Sequence, residues 1–365
     1  MKKPDHSDGK RNHILRVASC AAAAVIMTGA LAAFVMINYS LSLVHYDSGV
    51  QETAPATDTQ AEPEAEVVPE ARDSPQNEVL ALEKRIRENM LSAAQSPGYE
   101  NEALNILLIG VDYENAESKG RSDSMILLSV NRKYSRIVMT SLMRDIYLEI
   151  PGAKQANRLN TANVFGGPSL LMETITRNFK IPVQKYVLVD FLSFVELIDA
   201  VGGVTVSITE DELTVANGYI KGINWLLEQP ISSGMIEGPG EQLLTGKQAL
   251  GYVRVRYVGN GDFDRTARQR SVLNEVYQKI KEMNVVELYH LLNTVLPEVT
   301  TNLSKSELFS LILSLPEFSG YTIDSWSIPA DGTYKYLNIR GMSVLGIDFA
   351  ANNQALYEKI YESGG

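Results

Sequence analysis

Hydrophobic positions divide this chain into three regimes. Residues 17–37 carry no charge, and with Ile14 and Leu15 before them they reach about the 20 residues that a bilayer-crossing helix needs. Residues 47–78 are poor in apolar side chains and rich in Ala, Pro, Thr and Glu. Beyond them, short apolar runs alternate with helical spacing. Residues 105–111, 125–130 and 137–142 are β-branched-rich runs bounded by turn residues, which predicts strands. Residues 169–179 and 191–201 have helical spacing and alternate with predicted strands at 186–189 and 204–208. Gly202-Gly203 stops the second helix.

Residues 78–95 predict a lead-in helix, and 264–283 a long amphipathic one. Helices near 285–296 and 306–315, a strand near 321–328 and a final helix around 347–362 follow. Residues 210–240 have no clear period and several glycines, and read as a loop or insertion. Residues 252–257 (YVRVRY) read as a strand. Strand–helix alternation of this kind predicts an α/β fold with helices packed over a central sheet.

Charge fixes the orientation of this plan. Lys2, Lys3, Lys10, Arg11 and Arg16 outweigh Asp5 and Asp8 before the apolar run, so the amino terminus is expected to stay in the cytoplasm. The run is longer than the roughly 7–15 residues of a signal-peptide core, which favours an uncleaved anchor over cleavage near Ala30-Leu31-Ala32. The expected organisation is a cytoplasmic tail (1–13), a transmembrane helix (14–37), an acidic spacer with lead-in helix (38–100), a catalytic domain (101–284) and an extension (285–365). Residues 47–78 hold nine acidic residues and one basic residue, a self-repelling composition. The net charge of −11 argues against nucleic acid as a partner. Cys20, the only cysteine, excludes intrachain disulfides and thiol catalysis outside the apolar run.

Histidine is confined to His6, His13, His45 and His290, which leaves a Ser–His triad or a His-rich zinc site little to draw on. Residues 240–247 (GEQLLTGK) approach a P-loop, but the glycine spacing is wrong and Gln248 replaces the Ser/Thr. Arginine and aspartate remain. Asp112 closes the predicted strand 105–112 (NILLIGVD), and Asp123 lies in 121–124 (RSDS). Two carboxylates at adjacent strand–loop junctions would share a divalent cation, or serve as a turn residue and a cap. Arg254 and Arg256 would share a strand face, either around an anion or as a solvated surface. Arg265, Arg268 and Gln269 follow i, i+3, i+4 spacing in the first turns of a helix, where the macrodipole disfavours cations unless an anion is bound. Arg144 sits beside Asp145 at a strand end. Guanidinium forks match phosphate oxygens, so the set points to phosphate chemistry.

In order, the motifs NILLIGVD, RSDSM, SLMRDIYLEIPG, NRLNTANVFGG, VDFLSFVELIDAVGGVTV, LTGKQALGYVRVR and DFDRTARQR resemble the LytR–CpsA–Psr family over residues 104–281. Met143 departs from the proline usual there. The resemblance implies an α/β/α sandwich with a central mixed sheet and an apolar pocket for a polyprenyl chain. It implies a membrane-anchored extracellular phosphotransferase of a Gram-positive type envelope, moving a glycopolymer from polyprenyl pyrophosphate to peptidoglycan. A polyprenyl-pyrophosphate hydrolase and a non-catalytic envelope scaffold are the alternatives. By motif position, Asp112, Asp123 and Arg121 would be catalytic, with Mg²⁺ (or Mn²⁺) on Asp112 and Asp123. Arg121, Arg144, Arg254, Arg256 and Arg265 would bind pyrophosphate, with Gln269 beside them.

Overall fold

Alternation of apolar residues between positions 104 and 142 builds the centre of the protein. The computed structural model describes residues 39–46, 73–92, 102–112 and 120–362, without the side chains of Tyr46, Asp112 and Val285. The expected tail (1–13) and membrane helix (14–37) lie outside the described residues. Among the described residues no helix is long and apolar enough to cross a membrane.

In chain order the elements begin with β1 (His45–Tyr46), α1 (Gln76–Leu91), β2 (Leu104–Asp112), β3 (Arg121–Asn131) and β4 (Arg136–Leu142). The short pair β5 (Tyr147–Leu148) and β6 (Asn157–Arg158) precedes α2 (Thr161–Phe179), β7 (Lys185–Val189), α3 (Phe191–Ala200) and β8 (Val204–Ile208). Then come α4 (Glu210–Leu226), β9 (Gly240–Leu244), α5 (Gly246–Val253), α6 (Asp262–Glu282) and α7 (Val285–Val295). The chain continues through β10 (Thr300–Thr301), α8 (Lys305–Leu313), α9 (Leu315–Phe318), β11 (Thr322–Ile328), β12 (Tyr334–Ile339), β13 (Met342–Ile347) and α10 (Phe349–Tyr361).

Seven strands form the central sheet in the order β1-β10-β7-β2-β3-β4-β11. It is mixed: β2 pairs parallel to β7 and antiparallel to β3, while β4 pairs parallel to β11. Leu107, Ile109 and Val111 alternate onto one face with Met125 and Leu127. There they are buried with Leu82 and Ile86 of α1, Leu171, Ile175 and Phe179 of α2, and Leu356 and Ile360 of α10. A separate core joins α3 through α7 and the antiparallel pair β8–β9, centred on Ile198, Val206, Ile220, Leu250 and Val272. Helix α6 reaches the opposite sheet face, where Arg270 donates to Ser141 and Ser325 at 2.6 and 2.8 Å. The predicted fold class, a mixed sheet with helices, is therefore the observed one.

Three expectations change. Residues 210–226 are a helix, not a loop: Thr209 and Glu212 form a reciprocal capping box, and Ala216, Ile220 and Ile223 point inward. Gly218 and Gly222, which look like breakers in sequence, sit in this helix with open space around them. Residues 252–257 are not a strand. They complete α5, which its own capping box at Thr245 and Gln248 starts, and they leave it at the C-cap Arg254. Residues 334–347, unassigned from sequence, form a hairpin whose turn residues Arg340 and Gly341 have φ of 56° and 74°, as a type I′ turn requires.

The boundary expected at 284/285 divides one sheet. Strand β11 pairs with β4 along its whole length, and the β12–β13 hairpin and α10 bury Ile339, Val344, Ile347 and Leu356 in the main core. Helix α1 belongs to that core as well.

Candidate functional site

The carboxyl ends of β2 and β4 and the start of β3 meet the start of α6, and a cluster of guanidinium and carboxylate groups gathers there. The register of β2 with β3 steps from Gly110↔Ser124 to Val111↔Ser122, which leaves Asp123 as the extra residue of a β-bulge. Bulges re-aim side chains beside functional sites. A Cβ on Gly110 would stand 3.1 Å from the Ser124 Cβ, so glycine permits the close approach at the step. Asp123 thus lies inside a strand rather than before one. Asp112 and Arg121 face each other one residue pair further out.

Arg144 leaves the end of β4 and donates from Nη1 to Asp123 Oδ1 at 2.6 Å. Its Nε lies 3.8 Å from Asp145, which also faces Arg158 at 3.6 Å and Arg256 at 4.0 Å. Arg256 Nε is 3.3 Å from Asp262, and Arg265 Nη2 is 3.0 Å from the same carboxylate. Arg265 also donates to the Asp123 carbonyl oxygen at 3.3 Å. Four guanidinium groups (Arg144, Arg158, Arg256, Arg265) therefore share three carboxylates (Asp123, Asp145, Asp262).

The electrostatics follow from this crowding. Burial pulls the Arg144 pKa down, but Asp123, Asp145 and Asp262 outweigh it, and the net shift is upward. Arg265 moves the other way: burial lowers its pKa, Asp262 opposes, and the neighbouring Arg144 and Arg256 lower it further. The buried Nε atoms of Arg144, Arg158 and Arg265 have no hydrogen-bond partner among the described residues. An unsatisfied buried donor costs about 1–3 kcal/mol, more on a charged group, so the cluster is held together at a local cost in stability.

The sequence-predicted residues divide accordingly. Asp123, Arg144, Arg256 and Arg265 come together, and Gln269 stands beside them by accepting from Ser124 Oγ at 3.0 Å. Arg254 does not share a face with Arg256. It stacks 4.5 Å from the Phe191 ring centroid and 5.2 Å from that of Tyr219. Arg268 turns away into a buried ion pair with Glu212 at 2.7 Å. Sequence reasoning missed Arg158, Asp145 and Asp262 as parts of the cluster. Asp262 carried a signal, since it stands one turn before Arg265; Arg158, in a polar loop motif, carried none.

An arginine-rich cluster on a mixed α/β sheet can bind an anionic group. The chain belongs to the LytR_cpsA_psr family, whose model matches residues 71–359. It is similar to the polyisoprenyl-teichoic acid–peptidoglycan teichoic acid transferase TagU of Enterococcus faecalis. That relative is 35% identical over 217 residues, 58% of this chain and 65% of TagU. Biofilm regulatory protein A of Streptococcus mutans is 33% identical over 251 residues, 64% of this chain and 58% of that protein. The chain thus spans less than two thirds of the length of these relatives. Protein gbs0355 of Streptococcus agalactiae has a similar structure, with a TM-score of 0.58 at 28% identity, covering 73% of this chain and 91% of that one. TagT bound to LIIa-WTA shares the fold at a TM-score of 0.57 and 23% identity, covering 74% and 93%.

Proposed function

We propose that this protein is a membrane-anchored phosphotransferase that moves a glycopolymer from a polyprenyl-pyrophosphate carrier to a peptidoglycan hydroxyl. The observation that carries the reading is the gathering of four guanidinium groups, from Arg144, Arg158, Arg256 and Arg265, at one end of the sheet. Their fork geometry suits the equatorial oxygens of a pyrophosphate. The TagU relatives, and a family structure of YwtF (TagT) with bound octaprenyl pyrophosphate lipid, support the same choice of ligand. Residues 14–37 would anchor the chain, with the folded part outside the cell.

The acceptor hydroxyl attacks the phosphorus nearest the glycan. The bond to the bridging oxygen breaks, and polyprenyl phosphate leaves. That leaving group is already a phosphate, so the protein needs alignment and charge neutralisation more than a strong base. Arg144, Arg256 and Arg265 would hold the pyrophosphate oxygens, with Arg121, Arg158 and Arg254 at its margin. Asp123, aimed by its bulge, would orient the hydroxyl and take its proton. The second face of β2, with Leu104, Ile106 and Leu108 opposite Val130, Leu128 and Ile126, would receive the prenyl chain in an apolar pocket.

Mg²⁺ is the cation this reading calls for. Among the described residues no three His, Cys, Asp or Glu side chains gather around one point, but Mg²⁺ is commonly held by one or two carboxylates plus substrate phosphates. Asp123 and Asp112 would hold it, and when bound it would offset charge developing on the phosphoryl oxygens. Turnover is expected to stop in EDTA and to return with Mg²⁺ or Mn²⁺. Full activity in EDTA would remove the metal from the mechanism.

The test of function is product analysis with a polyprenyl-pyrophosphoryl saccharide and peptidoglycan fragments. A phosphodiester-linked conjugate is expected. Release of free saccharide phosphate at the same rate with or without acceptor would make the protein a hydrolase. No turnover under either condition would favour a scaffold.

A further inference from the structure

The chain just beyond the uncharged run does not leave the folded domain; it is fastened to it. Ser40 is fully buried and donates from Oγ to Asn293 Oδ1 of α7 at 2.8 Å. Leu41 and Val44 are buried against Leu296, with Leu292, Leu308, Phe309 and Ile312 packed around them. His45 and Tyr46 add a parallel strand to β10, which pairs in turn with β7. His45 N–H reaches the Val299 carbonyl at 3.2 Å. Helix α7, helix α8 and the edge of the central sheet therefore all grip residues 39–46.

Chain lengths turn this grip into a statement about the membrane. Residue 37 ends the uncharged run, and Ser40 is three residues on, so at most about 11 Å of chain separates them. The acidic residues 47–72 cannot be the link to the bilayer, because both of their neighbours are fixed to the domain. Tyr46 is paired to Thr301. On the other side, Ser74 N–H donates to the Asn338 carbonyl at 2.9 Å and Gly341 N–H to Asp73 Oδ1 at 3.1 Å. Those 26 residues, which would allow about 90 Å of reach if they were a tether, begin and end on the same body.

We propose that residues 39–46 are a clasp that mounts the α7/α8 face of the domain directly on the bilayer, in one orientation. The inference rests on reading residues 14–37 as a membrane anchor, and its partner is the lipid surface. Tyr39 and Leu313, on the clasp and at the end of α8, are each 60% exposed and supply apolar contact there. The orientation has a consequence for the proposed reaction. Leu308, Phe309 and Ile312 of α8 face the clasp, while Ser306, Glu307, Ser310 and Leu311 line a groove of about 230 Å³ over Leu104. Leu104 starts β2 and Asp112 ends it, about 26 Å away at strand rise. The groove therefore opens beside the membrane attachment, at the Leu104 end of the strand whose far end carries the proposed site.

The experiment uses the full chain in phosphatidylglycerol-containing vesicles, with Cys20→Ser as background. Ser40→Cys with Asn293→Cys is expected to form an intramolecular disulfide under mild oxidation. A donor dye on Asp331→Cys then reports transfer to an acceptor lipid. A flexible Gly/Ser linker of about 15 residues placed between Asn38 and Tyr39 should lower that transfer. The same linker placed after Thr57 should leave it unchanged. Equal losses from both linkers would overturn the clasp, and so would thiols that stay reduced in the Ser40→Cys, Asn293→Cys variant. Release of the parent chain from vesicles by alkaline carbonate would overturn it as well. Loss of glycopolymer transfer with the cross-link and dye response intact would count against the phosphotransferase alone and leave the clasp supported.

Discussion

Asp123→Ala and Arg144→Ala are each expected to lower turnover by about 10²–10³-fold, the cost of removing one preorganised charged group from a developing transition state. The two side chains meet at 2.6 Å and would serve the same step, so their effects should not add. The double variant should fall little below the worse single one. Arg144→Lys keeps the charge but loses the planar fork that spans Asp123 and Asp145, and should recover only a small part of the loss. Neither change opens the main apolar core, so circular dichroism should stay close to that of the parent, while the unfolding midpoint should fall less than for a more deeply buried pair, since the two side chains are 16% and 30% exposed. The loss should appear in kcat as well as in KM, because the contacts strengthen as charge moves to the bridging oxygen. An Arg144→Ala protein that turns over at the parent rate would remove the cluster from the chemistry.

How far the sequence carried this reading depends on which force set each element. Strands β2, β3 and β4 were legible because their apolar residues answer to one buried face, and so were helices α3 and α6. The last third was read by period alone: β11 and α10 were found, but not their membership of the main sheet and core. That membership depends on pairing between residues such as Trp326 and Thr140 that are far apart in sequence. Helix α4 was lost because Gly218 and Gly222 outweighed a capping box, a local rule that the buried Ile220 and Ile223 override. At the site, composition pointed to arginine and aspartate, and Asp123, Arg144, Arg256 and Arg265 do come together. The strand reading of 252–257 failed because alternating Val and Arg looks the same in a strand as across a helix C-terminus. The Asp123 bulge was invisible, since a one-residue register step leaves no mark on the hydrophobic pattern.

Arg268→Ala is expected to cost about 3–5 kcal/mol of stability, the penalty for stranding one member of a buried ion pair. Its side chain is 6% exposed and that of its partner Glu212 is 13% exposed. Glu212 also carries the capping box of α4, so the stranded carboxylate would loosen the start of that helix. A second effect reaches the site. Arg268 Nη1 donates to the Val255 carbonyl at 2.8 Å, between Arg254 and Arg256, and so fixes the segment that presents both. Burial raises the Glu212 pKa, but bonds from Thr209 and Arg268 outweigh it, and the net shift is downward. A carboxylate with a depressed folded pKa stabilises the protein above its unfolded pKa and loses that contribution as pH falls through the folded value. The parent should therefore lose stability on acidification below the ordinary glutamate range of about 4.3, and Arg268→Ala should flatten that part of the curve. Arg268→Met combined with Glu212→Leu removes both charges and should regain much of the lost stability, as apolar replacements of buried pairs do. It should not regain full substrate affinity, because nothing then holds the Val255 carbonyl. Denaturant midpoints across pH, measured beside KM for the three proteins, separate the two roles. Parent-like KM in the double variant would show that the Val255 contact does not position Arg254 and Arg256.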